Sequence, residues 1–124
     1  MKKFIVTLAI FIAAYSSNAQ EITPLQDIKA EGANLIQFAE RDAQFIGNHL
    51  DLEVSKTEDL KQLFIYKYKE LALETNHSSI EKLHQSITER LRALLSSEQY
   101  ASLTSIDGAI LKLGGLIYLN PEIN

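Results

Sequence analysis

Cysteine is absent from the 124 residues. Its absence excludes disulfide staples, a cysteine nucleophile and the lipid-modified cysteine of a bacterial lipoprotein, so stability has to come from packing, helix caps and assembly. Strand patterning is nearly absent as well. The chain also lacks a glycine-rich phosphate loop, and no helix carries two histidines one turn apart with a glutamate beside the first, as a zinc-protease site requires. Its serines sit where helix caps are expected. With no set of residues that can be cast as nucleophile, base and oxyanion donor, no catalytic, cofactor-binding or metal-binding residue is expected. Basic clusters are missing too: twelve Lys and Arg are scattered among sixteen Asp and Glu, for a formal net charge of −4. A phosphate-binding surface needs clustered cations to release counterions, so nucleic acid is excluded as a partner.

What is present begins with an export signal. Lys2 and Lys3 form a basic start, Phe4 to Ala14 form an uninterrupted apolar run, and Ser17-Asn18-Ala19 offers the small side chains that a signal peptidase accepts. The apolar run is eleven residues, whereas a membrane-spanning helix needs about 20. The expectation is therefore a signal peptide over residues 1–19, cleavage before Gln20, a periplasmic or secreted location, and no stable membrane insertion after cleavage. Processing leaves ten basic against sixteen acidic residues, a net charge of −6. Residues 20–124 suffice for one modest core, a single helical domain.

Periodicity over the remainder is helical. Ile28, Leu35, Ile36, Ala39, Ala43, Ile46 and Leu50 recur at three- and four-residue spacings, which predicts one long first helix. Thr23-Pro24-Leu25-Gln26 marks its start, with a hydroxyl, a proline at the first helical position and a glutamine three residues on. The same start signal recurs at Ser55 to Glu58, Ser78 to Glu81 and Ser96 to Gln99. Each fits a capping box, and four boxes predict four helices. Leu60, Leu63, Phe64, Tyr68 and Leu71 form the inward face of the second, Ile80, Leu83, Ile87, Leu91 and Leu94 that of the third, and Tyr100, Leu103, Ile106, Ile110 and Leu113 that of the fourth. The connections are short, at Asp51 to Val54, Thr75 to His77 and Leu95, which favours antiparallel neighbours. Asp107-Gly108 is a break point, Gly114-Gly115 a stop, and Leu116 to Leu119 an apolar tail expected to pack onto the bundle. The fold class is all-α, an antiparallel helical hairpin or four-helix bundle.

Three features bear on function. Glu81 and His84 share a helical face, the local geometry of half a metal site, and His77 lies one residue before Ser78. The plainer expectation puts His84 at the edge of the apolar stripe and His77 in a solvated turn. Lys61, Lys67, Lys69 and Glu70 read as a solvated face of the second helix, and the acids Glu58 and Asp59 suit a first helical turn. Phe64, Tyr66 and Tyr68 crowd one and a half turns, more than a narrow stripe buries. They are expected in the core or in a homodimer interface, with a protein-binding groove as the alternative.

Leu95-Ser96-Ser97-Glu98-Gln99 resembles the L-T/S-x-x-Q motif of the Spy/CpxP family of small exported helical proteins, and Val54 to Glu58 resembles a degenerate earlier copy. Members of that family are periplasmic, cofactor-free and typically dimeric. The resemblance implies an ATP-independent chaperone or envelope-stress protein that binds unfolded clients, with Ser55, Glu58, Ser96 and Gln99 fixing helix starts. The reading from a different class is a structural or interaction module for one dedicated protein partner.

Overall fold

The computed structural model describes residues 22–120, so the signal-peptide expectation for residues 1–19 lies outside the described residues. Within them the chain is an all-α bundle of six helices with no strand. The helices are α1 (Leu25–Ile28), α2 (Leu35–Leu50), α3 (Val54–Leu73), α4 (His77–Leu94), α5 (Ser97–Thr104) and α6 (Ala109–Gly114), followed by a 3-10 turn over Leu116–Leu119. The pair α2 and α3 forms an antiparallel hairpin at the centre. Helix α1 lies on α3, α4 packs on the other side of α3, and α5 reaches back to α2. Helix α6 and the 3-10 turn close over α4.

The long first helix is not continuous. Its periodic pattern is interrupted between Ile28 and Leu35, where Gly32 adopts a left-handed backbone with φ of 79° that side-chain-bearing residues avoid. Asn34 then opens α2 afresh, its side chain accepting from the Gln37 amide at 3.1 Å. Freed from α2, the four residues of α1 turn inward and bury Leu25 and Ile28. Thr23 does not cap α1, whose N-cap position is held by Pro24 without a side-chain bond.

Of the other three expected capping boxes, one is formed. At Ser96 both reciprocal bonds are made, Gln99 N–H to Ser96 Oγ at 3.0 Å and Ser96 N–H to Gln99 Oε1 at 2.9 Å. Helix α3 starts earlier than its box, at Val54 after Glu53, because Asp51 reverses the chain in a left-handed conformation with φ of 54° and three residues complete the turn. Ser55 therefore lies inside the first turn, and Glu58 accepts from Gln62 at 3.2 Å instead of capping. Helix α4 likewise starts at His77, capped by Asn76, whose side chain accepts from the Ser79 amide at 2.8 Å. Asparagine is at least as good a cap as serine, and it comes first in the chain. The break at Gly108 and the stop at Gly115 stand where expected, both glycines being left-handed.

The core follows the apolar stripes. Ala39, Ala43 and Ile46 of α2, Leu60, Leu63, Phe64, Tyr68 and Leu71 of α3, Ile80, Leu83, Ile87 and Leu91 of α4, and Leu103 and Leu113 further on are all buried. Each large side chain among these contributes roughly 1.5–3 kcal/mol relative to exposure. Ile36 departs from the expected face and is 52 % exposed, one position off the stripe that Leu35 joins. The tail packs down as expected, with Tyr118 buried.

Candidate functional site

Charged residues interrupt two of the apolar stripes. Lys67 falls between Phe64 and Leu71 on α3, and Asp42 falls between Ala39 and Ala43 on α2. Lys67 was expected on a solvated face; it is completely buried, 0 % exposed, and Asp42 is 3 % exposed. The hairpin brings them together at 2.6 Å between Lys67 Nζ and Asp42 Oδ2. The same carboxylate oxygen accepts from Tyr68 Oη at 2.7 Å. Lys67 Nζ also donates to the Leu113 carbonyl at 3.0 Å and reaches the Lys112 carbonyl at 3.5 Å. Those carbonyls belong to the last turn of α6, where in-helix donors run out and a cation suits the helix dipole. The ammonium also sits 4.4 Å from the Tyr68 ring centroid and 4.9 Å from that of Phe64.

Every strong donor direction of the ammonium is thus engaged, the condition for a charge to remain in a protein interior. Burial pulls the Lys67 ammonium below its ordinary pKa, opposed by the charge and hydrogen bond of Asp42. Burial pushes the Tyr68 phenol well above its ordinary value, with the Asp42 charge adding to it, so the phenol keeps its proton and donates. A second polar group lies alongside. Tyr118 Oη donates to the Thr23 carbonyl at 2.5 Å, and the Arg41 guanidinium donates to the Thr23 hydroxyl. These bonds tie the start and the end of the described chain to the central hairpin. The titratable groups that converge here do so away from solvent, in a lock that holds α2, α3 and α6 in one arrangement.

On the surface the picture differs from the aromatic cluster expected. Phe64 is 0 % and Tyr68 3 % exposed, so both belong to the core and to the Lys67 lock, and they offer no protein-binding surface. The aromatic crowding that suggested a dimer interface is accounted for inside one chain. Of the three, Tyr66 alone reaches the surface, half-buried against the edge of the core, with the Arg90 guanidinium of α4 4.7 Å from its ring centroid. Arg90 also borders an open cleft of about 370 Å³ between α3 and α4, with Leu63, Ala93 and Leu94 as its apolar lining and Asp59 and Gln62 on the opposite rim.

The histidines do not gather. His77 Nδ1 lies 3.4 Å from Glu81 Oε1 on an exposed face, while His84 turns inward and rests its ring on Gly114. Among the described residues no three His, Cys, Asp or Glu side chains come together to hold a metal ion. Nor is any described helix long and apolar enough to cross a membrane. Ser96 and Gln99 close a helix start, as above, whereas Ser55 and Glu58 do not.

The chain matches no family model, no curated protein and no solved structure. Function therefore has to be read from the molecule itself. Of its two notable groupings, the Lys67 lock is sealed and the α3–α4 cleft is open. Sequence reasoning missed the lock, although a signal for it existed: an oppositely charged residue sits on stripe position in each of two successive helices.

Proposed function

We propose that the protein is an exported helical factor that binds other proteins, most closely akin to the Spy/CpxP type of ATP-independent chaperone or envelope-stress protein. The observation that carries protein binding is the α3–α4 cleft. Its apolar lining from Leu63, Ala93 and Leu94, bordered by Arg90, Asp59 and Gln62, is the arrangement of a modest protein-binding surface, an apolar centre with a polar rim. The completed capping box at Ser96 and Gln99 supports the family part of the reading, since it gives the L-S-x-x-Q sequence the helix-opening role that the family resemblance implies. Export rests on Lys2, Lys3 and the apolar run that follows.

A second reading is a module for one dedicated partner. The Lys67 lock favours it, because a fully satisfied buried ion pair suits one defined packing better than an adaptable surface. An aggregation assay with two unrelated chemically unfolded clients, with light scattering on the same samples, separates the two. Suppression of both at near-stoichiometric ratios, lost in a Tyr66→Ala/Arg90→Ala variant of unchanged stability, is the expected result. No suppression of either client refutes the chaperone reading and leaves the dedicated module.

A further inference from the structure

The C-terminal unit, α6 with the 3-10 turn, is held at one point each against the hairpin, against the segment before α1 and against α4. Lys67 takes the α6 carbonyls, Tyr118 Oη bonds the Thr23 carbonyl, and Gly114 lies flat on the His84 ring. The third differs in kind. A β-carbon at Gly114 would come within 2.7 Å of His84 Cε1 and 3.2 Å of Cγ, and nearer still to Nδ1, so the helix backbone rests directly on the imidazole. Nδ1 is sealed from solvent there and has no hydrogen-bond partner. The next residue, Gly115, has φ of 93°, a conformation open to glycine, and forms the hinge into the turn beside Leu83.

We propose that His84 is an acid-sensitive latch, and that its protonation releases α6 and the 3-10 turn from α4 while the α2–α3 hairpin stays folded. A neutral imidazole leaves Nδ1 as a bare acceptor against Gly114, which costs less than burying an unpaired charge there. An imidazolium carries N–H on both nitrogens, so Nδ1 becomes a sealed, charged donor that makes no hydrogen bond in the docked arrangement, with only the adjoining Gly114 backbone to offset its charge. The surrounding charges give little relief. Helix α6 carries the cation Lys112, the α3 cation Lys67 is taken up by Asp42 and the α6 carbonyls, and α4 itself supplies Glu81 and Lys82. Helix α5 carries Glu98, and the 3-10 turn has only the Tyr118 phenol as a titratable group. Consistent with this, burial lowers the His84 pKa, partly offset by the nearby Gly114 backbone. The docked state therefore binds fewer protons than the released state below about pH 6.5, and docking weakens as pH falls through that value until the docked imidazole itself titrates. Release uncovers Leu83, which is buried beside Gly115 in the docked state.

Amide hydrogen exchange tests this on the purified protein, comparing Ala109 to Leu119 with Leu60 to Leu71 at neutral and mildly acidic pH after correction for intrinsic rates. Protection of the C-terminal unit should fall by up to about tenfold per pH unit below 6.5, with that of α3 unchanged. In His84→Leu the C-terminal protection should be flat with pH. Gly114→Ala should show low C-terminal protection already at neutral pH, because its β-carbon displaces the ring. The same acid loss in His84→Leu, or in His84→Gln should the leucine variant not fold, overturns the latch. So does pH-independent protection in the unsubstituted protein.

Discussion

Among the described residues, Asp42→Ala removes the only carboxylate that touches Lys67. The structure sets the scale of the damage: a 2.6 Å ion pair and a 2.7 Å bond from Tyr68 are lost together, leaving a fully buried ammonium with carbonyl acceptors but no counter-charge. Breaking a buried pair in this way costs about 3–5 kcal/mol. The folded variant has one escape, which is to hold Lys67 neutral. Neutralising a lysine of ordinary pKa at pH 7 costs about 4.6 kcal/mol, which caps the charge penalty, and the orphaned Tyr68 hydroxyl adds about 1–3 kcal/mol. Against a total stability of roughly 5–15 kcal/mol for a domain of this size, the variant should be marginal.

The neutral-lysine route has a signature. The unfolded chain binds a proton at Lys67 up to about pH 10.4 that the folded variant does not, so the deficit should shrink by up to about 1.4 kcal/mol for each unit of rising pH. Urea unfolding followed by far-ultraviolet circular dichroism at several pH values measures it. The double variant Asp42→Leu/Lys67→Met, which removes both charges, should recover most of the loss, since apolar replacement of a whole buried pair is often neutral or stabilising. A deficit under about 1 kcal/mol in Asp42→Ala, or a larger deficit in the double variant, would refute a sealed Lys67 lock.

Ser96→Ala should cost about 1 kcal/mol by denaturant midpoint, whereas Ser55→Ala, which caps nothing, should stay within about 0.5 kcal/mol. Tyr118→Phe leaves the buried Thr23 carbonyl without its donor; a loss of about 1–3 kcal/mol, with weaker amide protection from Leu25 to Ile28, is expected in unfolding and exchange measurements. Tyr66→Ala/Arg90→Ala should leave stability within about 1 kcal/mol and reduce mainly protein binding, since Tyr66 packs only partly buried at the edge of the core and Arg90 is exposed.

Several features were legible because they are local. Helical class, the α3 stripe from Leu60 to Leu71, the Ser96 cap, the Gly108 break and the Gly115 stop each depend on residues within a turn or two of one another. Helix starts were less secure, since a cap is decided by whichever residue first leaves the helical conformation. Glu53 and Asn76 came ahead of Ser55 and Ser78, and Gly32 with Asn34 divided what periodicity alone joined into one helix.

The candidate site divides the same way. The crowding of Phe64, Tyr66 and Tyr68 was visible in the sequence, but which of the three reaches the surface was not, and the cleft beside Arg90 needs Ala93 and Leu94 from α4 as well. Lys67 is the clearest case. Periodicity places it on the buried face of α3, while its charge argues for water, and the sequence around it cannot decide between the two. What decides is a carboxylate 25 residues earlier and a helix-end carbonyl 46 residues later, both brought to one ammonium by the packing of α2 and α6 on α3. Local sequence thus determined the helices and most of their inward faces. Only the tertiary structure determined which charges those faces enclose, because the free energy of a buried charge depends on partners distant in the chain.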